Sequence, residues 1–312
     1  MITTSGRASA VLCSFLKSRV FSKPFLLPAN ACPVVPLTFL KAGVDFEFVD
    51  IDKTHAMSQE LAKDRIASGK YSGIVFIHAY GKQFDNSAFY RELKECDSQI
   101  CIIDDRCLCP PTLTDEMPNH TDLVLYSTGY AKYAELLSGG YGITHTELVD
   151  SSEYEYSEAA EDKQQEYLKE CLKDGKVYEF PADYPWLSNA KLEMSLDTYF
   201  SKIRSIMVDV CHHKERINQI YRTLLPKSIQ WGEEYDNWRF MVSVKNRNNV
   251  LDAIFENNMF AGANYPSVSY LFKKQSSPRA EEEAEHTLNL LNNHRVDEHF
   301  AVRICEVINS NI

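Results

Sequence analysis

Residues 73–105 read GIVFIHAYGKQFDNSAFYRELKECDSQICIIDD. An apolar run over 73–78 gives way to a helix-period segment over 86–96 and then to a second apolar run over 100–104. Neither run alternates apolar with polar, which is the pattern of a strand covered on both faces. Strand, helix and strand in that order form the unit of a parallel sheet. The same rhythm extends upstream. Phe46, Phe48 and Val49 make a strand closed by Asp50 and Asp52, with a helix expected over 57–68. Before it come a short strand over 25–27, ending at Pro28, and a helix over 34–42 stopped by Gly43. Ala8, Val11, Leu12, Phe15 and Leu16 recur at helical spacing behind the hydroxyl-rich start Thr3-Thr4-Ser5-Gly6. Downstream, residues 123–127 and 140–144 read as two more strands.

The second half is organised differently. Residues 149–176 are rich in Glu and Asp and read as a solvated loop and helix. Residues 186–225 form a long helical tract ended by Pro226, and 239–244, 250–258 and 280–308 read as a smaller α+β unit. The expected division is a large domain over 1–205 and a small one over 206–312.

Composition narrows the classes. Of 312 residues, 44% are hydrophobic, enough for a packed core and too many for a disordered chain. The net charge of −11, without a basic run, argues against nucleic acid and against an anionic membrane surface. The longest apolar stretch, 25–40, is broken by Pro28, Asn30, Pro33 and Pro36 and is not a membrane span. Residues 8–16 lack a basic leader and a cleavage site, so the expected compartment is the cytoplasm. The 9 cysteines form no C-x-x-C pair and are expected to be reduced. Cys107-x-Cys109 has no second ligand pair nearby, so no metal site is expected.

In parallel sheets ligands bind beyond the carboxyl ends of the strands. Four features fall at such places: Ser5-Gly6-Arg7 opening the first helix, Asp105 following the strand ICIID, Ser127 following LVLY, and Lys132 five residues beyond it, before the Gly139-Gly140 turn. A helix start offers N–H groups to a phosphate. A carboxylate can keep a pyridine nitrogen protonated, and a lysine can form a Schiff base with an aldehyde. Together these are the parts of a pyridoxal 5′-phosphate site.

Those residues also carry a resemblance. Ser5-Gly6-Arg7-Ala8, the block from Pro28 through Gly43 to Phe48-Val49-Asp50-Ile51-Asp52, His78-Ala79-Tyr80-Gly81, Ile103-Asp104-Asp105, Ser127-Thr128-Gly129-Tyr130-Ala131-Lys132 and Ser138-Gly139-Gly140 follow a known order of motifs. In these the chain resembles the DegT/DnrJ/EryC1/StrS sugar aminotransferases, a branch of the fold-type I pyridoxal phosphate-dependent enzymes. The motifs cover residues 5–144, and the remainder agrees in outline. The resemblance implies an α/β fold, with a large domain of mostly parallel sheet flanked by helices and a smaller C-terminal α+β domain. It also implies an aminotransferase that moves an amino group from an amino acid, such as glutamate, to a nucleotide-linked keto-sugar. A homodimer with shared active sites is expected with it. Lys132 would hold the cofactor and move protons, and Asp105 would pair with the ring nitrogen. Ser127, Ser5 and the amides of Gly6 and Arg7 would hold the phosphate. Cys32 and Leu108 stand beside the ring, at positions where the family carries an aromatic and a Gln or His. His78, Tyr130, Tyr133, Tyr184, Arg239 and Tyr265 are the expected substrate-pocket residues.

The departures are specific. Leu108 cannot hydrogen-bond the ring oxygen, and Cys32 offers little surface for stacking. Arg7, in place of Thr, adds a cation that can reach the phosphate. Tyr184-Pro185-Trp186 stands where the family has Asn-Tyr-Arg, and the chain starts close to the phosphate-binding helix, so part of the pocket is expected to be built differently. Two rival readings stay open. One is a sugar dehydratase on the same scaffold, which would carry His at the position of Lys132. The other is a degenerate member acting as a binding or regulatory subunit.

Overall fold

The computed structural model describes residues 1–150, 155–179, 181, 183–263 and 266–312. Its larger sheet contains β1 (Ile2–Ser5), β2 (Phe25–Pro28), β3 (Phe46–Val49), β4 (Gly73–Ile77), β5 (Cys101–Asp105), β6 (Leu123–Ser127) and β7 (Gly140–Thr144). The strand order is β1-β7-β6-β5-β4-β2-β3. β2 to β6 pair in parallel, and β7 runs antiparallel to both of its neighbours. This is the α/β fold with a mostly parallel sheet that the apolar runs predict. The hydroxyl-rich start is itself an edge strand, with Ile2 opposite Ile143 and Ser5 opposite Gly140. Thr suits a pleated, half-buried edge, and that role carries no local apolar signal.

Helices α1 (Ala8–Lys17), α2 (Val34–Ala42), α3 (Gln59–Ala67) and α4 (Ser87–Cys96) cover the sheet. Because side chains alternate along a strand, each continuous apolar run feeds two layers. Phe25, Leu27, Val75, Cys101 and Ile103 pack with Val11, Phe15 and Phe39 on one face. Leu26, Ile74, Phe76 and Ile102 pack with Ala62, Ile66, Phe89 and Tyr90 on the other. Gly43 ends α2 at φ 73°, a left-handed conformation that suits a residue without a Cβ.

The acidic segment departs from expectation. Helix α5 (Glu158–Asp174) carries Ala160, Gln164 and Cys171 buried on one side, with Tyr167, Leu168 and Leu172 packed on the large core. Helix α6 (Leu196–Leu224) then runs unbroken through the expected domain boundary at 205–206. Its first turns place Tyr199, Phe200 and Ile203 against Tyr126 and Tyr141 of the large sheet. Its last turns place Ile217 and Tyr221 in a second core. That core is built on the antiparallel sheet β8-β10-β9, from β8 (Phe240–Ser243), β9 (Ala261–Ala263) and β10 (Thr287–Leu290), with helices α7 (Arg247–Glu256) and α10 (Glu298–Asn309). Helices α8 (Val268–Lys273) and α9 (Pro278–His286) leave this unit, and Val268, Leu271, Phe272 and Ala280 return to the large core. No helix among the described residues is long and apolar enough to cross a membrane.

Lys214 lies buried on α6 where the two cores meet, donating to the Trp238 carbonyl at 2.9 Å and to Asn292 Oδ1 at 2.6 Å. Burial, reinforced by the Arg239 charge, pulls its pKa down to about 7. In the unfolded chain a lysine titrates near 10.4, so the unfolded state binds more protons between these values. Stability therefore falls as the pH drops from about 10 to about 7, then holds at the lower level. Lys214→Met is expected to flatten that slope by up to about 1.4 kcal/mol per pH unit. Urea unfolding at pH 7, 8 and 9 measures it, and parallel curves for the two proteins would refute the assignment.

Candidate active site

The carboxyl ends of the parallel strands open onto one cavity of about 820 Å³. Much of the wall follows strand ends: Gly6 and Arg7 follow β1, Asn30 and Cys32 follow β2, and Ala79 and Tyr80 follow β4. Asp105 closes β5 and is followed by Cys107 and Leu108, while Ser127 closes β6 and leads to Gly129, Tyr130 and Lys132.

The loop carrying Lys132 is tied down at several points. Thr128 Oγ1 donates to the Ser138 carbonyl at 2.7 Å and lies 2.6 Å from the Tyr199 hydroxyl on α6. Trp238 Nε1 donates to the Ala131 carbonyl at 2.8 Å, so the small-domain side holds the residue next to Lys132. Gly139 closes the loop at φ 97°, and a Cβ there would lie 2.6 Å from Thr128 Oγ1 and 2.8 Å from the Tyr199 hydroxyl. Gly140 is equally constrained, since its Cβ would lie 2.3 Å from the backbone nitrogen of Ala8. The Gly-Gly pair thus lets the β6–β7 loop press against the start of α1.

Lys132 and Asp105 act on common neighbours. Burial raises the pKa of the Cys107 thiol, the Asp105 carboxylate raises it further, and Lys132 opposes both. Cys32, exposed to the cavity but enclosed by protein, is also raised by burial, with Lys132 pulling it down and Asp105 pushing it up. The two cysteines therefore stay as neutral thiols while feeling both charges. Asp105 Oδ1 accepts from the Cys107 amide at 2.9 Å, which orients the carboxyl group.

The residues present suit pyridoxal phosphate. The first turn of α1 contains no acidic residue, its N-cap makes no side-chain capping bond, and Ser9 lies on the cavity wall. The Ser127 hydroxyl accepts from the Gly129 amide at 3.3 Å and keeps its own hydrogen to donate. An anion is matched there by the positive end of the helix dipole. The Gly6 amide is already used, donating to the Ala190 carbonyl at 2.9 Å, so the phosphate contacts fall to the residues after it.

Gly6, Arg7, Cys32, Asp105, Leu108, Ser127, Tyr130 and Lys132 share this cavity wall. Five other expected site residues do not. Ser5 is buried beneath it, its hydroxyl turned to the Ala190 carbonyl at 3.3 Å. His78 is buried on the α4 side of the sheet, where Nε2 meets Asp104 Oδ1 at 2.7 Å and Nδ1 accepts from the Phe84 amide at 3.0 Å. Tyr133 packs in the core beside α6, under the Lys214 ammonium 5.3 Å from its ring centroid. Tyr184 packs against the large core, and Arg239 bonds Asn289 and stacks over Trp238 at 4.8 Å. Each is drawn off by a partner remote in sequence. Tyr265 lies outside the described residues.

Solved structures share this architecture. No protein-family model matches the sequence, and no curated protein does. The sugar aminotransferase CalS13 from Micromonospora echinospora superposes over 100% of this chain and 87% of its own, with 13% identity and a TM-score of 0.71. A DegT DnrJ EryC1 StrS aminotransferase from Brucella abortus does so over 99% and 85%, with 16% identity and a TM-score of 0.69. DesI, solved in the presence of its TDP-sugar product, does so over 99% and 80%, with 14% identity and a TM-score of 0.74. The chain has their fold. At such identities the likeness is one of architecture, and chemistry rests on the site's own residues.

The cavity also has walls that the motifs do not reveal. Glu161 and Gln165 of α5, with Ser188 and residues 190–194, close one side. Buried Glu161 forms a two-point ion pair with Arg7, and the Tyr156 hydroxyl donates to it at 2.8 Å. Arg7 is therefore committed to a carboxylate rather than left free for a phosphate. The available signal was the stripe Ala160, Gln164, Leu168, Cys171, which recurs at helical spacing inside the acidic segment.

Proposed function

We propose that this chain is a pyridoxal phosphate-dependent aminotransferase of the DegT/DnrJ/EryC1/StrS type. It would take the amino group of an amino acid such as glutamate and deliver it to a nucleotide-linked keto-sugar. The observation that carries the reading is the meeting of Lys132 and Asp105 on one cavity wall, at the carboxyl edge of the sheet. Lys132 would hold the cofactor, Asp105 would face its ring nitrogen, and Ser127 with the start of α1 would take its phosphate. Bound there, the cofactor supplies the electron sink for carbanion chemistry.

The remaining work belongs to the chain. The Lys132 amine takes a proton from the carbon next to the donor's amino group and returns it elsewhere, as general base and then acid. The Asp105 carboxylate, with one oxygen held by the Cys107 amide, presents the other to a protonated nitrogen. Leu108 and Cys32, on the same wall, would offer the bound ring apolar contact and no hydrogen bond. A cavity of about 820 Å³ leaves room for a substrate larger than an amino acid, which favours the sugar-linked acceptor. Tyr130 and Leu137, 67% and 71% exposed at the cavity, form an apolar rim suited to a second subunit, so a homodimer is part of the reading.

The test is direct. Purified protein mixed with pyridoxal phosphate is expected to gain a visible absorption band, and borohydride followed by peptide mass mapping is expected to find a pyridoxyl group on Lys132. A colourless protein without that modification overturns the reading. Incubation with glutamate and a panel of nucleotide keto-sugars, read by mass, then identifies the acceptor. Asp105→Asn is expected to keep the band and lower turnover by about 10²–10³-fold, the scale of a lost electrostatic partner.

A further inference from the structure

A second cavity, of about 380 Å³, shares Lys132 with the first. The loop through Lys132, Tyr133 and Glu135 forms one side, and α6 with Asn293 and His294 forms the other. The two cavities differ in charge. In the first, Arg7 is paired with Glu161 and Lys191 with Asp150 at 3.0 Å, while Glu193 and Asp105 add negative charge. An anionic tail entering that outer wall meets carboxylates and cations already engaged.

The second cavity presents His212, His213, His294 and Arg216 beside Lys132. Among the described residues, His212 and His294 make no hydrogen bond, and His213 uses Nε2 on the Asn293 carbonyl at 3.0 Å. Arg216 is held loosely, 3.7 Å from Glu298, with both side chains largely exposed. Of the two carboxylates on the wall, Glu135 is neutralised by Arg295 at 2.6 Å, leaving Asp209 as the opposing charge. Donors gathered in a concave site focus potential and suit a multiply charged anion through charge-assisted hydrogen bonds.

We propose that the second cavity binds the diphosphate of the nucleotide-linked substrate, so that the attached sugar reaches Lys132 from that side. This rests on the function proposed above, because only a substrate whose reacting end lies at Lys132 needs to span both cavities. His294 and Arg216 would then set specificity for the diphosphate without taking part in proton transfer.

Inorganic pyrophosphate is the probe, since it is independent of the base and the sugar. Calorimetric titration into the pyridoxal phosphate-loaded protein is expected to give saturable binding, weakened at least tenfold in the double variant Arg216→Ala/His294→Gln. Both positions are exposed, and an unchanged melting temperature and cofactor band would show that the variant is folded and loaded. Lys191→Ala, at the first cavity, is expected to leave pyrophosphate affinity within twofold. No pyrophosphate binding, equal affinity in the double variant, or a loss confined to Lys191→Ala would each overturn the proposal. Failure of the protein to take up pyridoxal phosphate would instead strike the functional reading, and the same titrations on unloaded protein would still decide the cavity.

Discussion

Lys132→Ala is expected to lower turnover by about 10⁴-fold or more and to remove the covalent cofactor. Proton transfer by a positioned side chain contributes roughly 10²–10⁴-fold, and loss of the tether adds to it. The substitution leaves the loop intact, because its anchors are the Thr128 hydroxyl, the Trp238 indole and the backbone bond from the Lys132 amide to the Gly129 carbonyl. Activity can therefore be read without an unfolding correction. The removed side chain borders a cavity of about 820 Å³, so a small primary amine added to the solution has room to replace the missing base. Partial rescue that grows with amine concentration and basicity is the expected signature. Single-turnover absorbance measures it, and a variant that keeps activity within tenfold of the parent excludes Lys132 as the acting base.

Asp104→Ala carries the largest expected effect on stability. Asp104 is fully buried and accepts from His78 Nε2 at 2.7 Å, Tyr90 at 2.7 Å and Arg106 Nε at 2.8 Å. Burial works to raise its pKa, but the bonds from His78, Arg106 and Tyr90 outweigh burial and hold it below the usual carboxylate value. Removing the carboxylate strands the buried donors of His78 and Tyr90 and takes an ion-pair partner from the half-buried Arg106 guanidinium. Breaking such a group typically costs about 3–5 kcal/mol. His78→Gln, which keeps a donor, is expected to cost less. The pH dependence has a defined sign. A carboxyl whose folded pKa is depressed stabilises above its unfolded value, near 3.9, and that contribution is lost as the pH falls through the folded value. The variant should therefore lose the acid-side part of the stability profile as well. Urea unfolding settles it, and a loss under about 1 kcal/mol would show the network to be dispensable.

Asp104 and Asp105 also show what a sequence can and cannot reveal. Both stand at the end of one apolar run, and both are plausible site carboxylates by position. Consecutive strand residues face opposite ways, so only one can meet the cavity. Asp105 does, while Asp104 joins the α4 layer with Tyr90 and draws His78 away from the cavity. The parity was available from Ile102 and Ile103, but which face lay toward the ligand was not.

The sequence by itself determined the alternation of strands and helices, the left-handed stop at Gly43 and the placing of Asp105, Ser127 and Lys132 at or beyond the carboxyl ends of strands. These follow from side-chain period, chain reversal and backbone freedom, which depend on neighbours within a few positions. Tertiary structure alone decided that Arg7 answers to Glu161, that Tyr133 and Arg239 turn into packing contacts, and that residues 268–280 return to the large sheet. Such pairings join groups far apart along the chain, and they are set by where α5, α6 and α8 dock. A buried glutamate in an acidic run has the same local context as a solvated one, so only the docked helix distinguishes them.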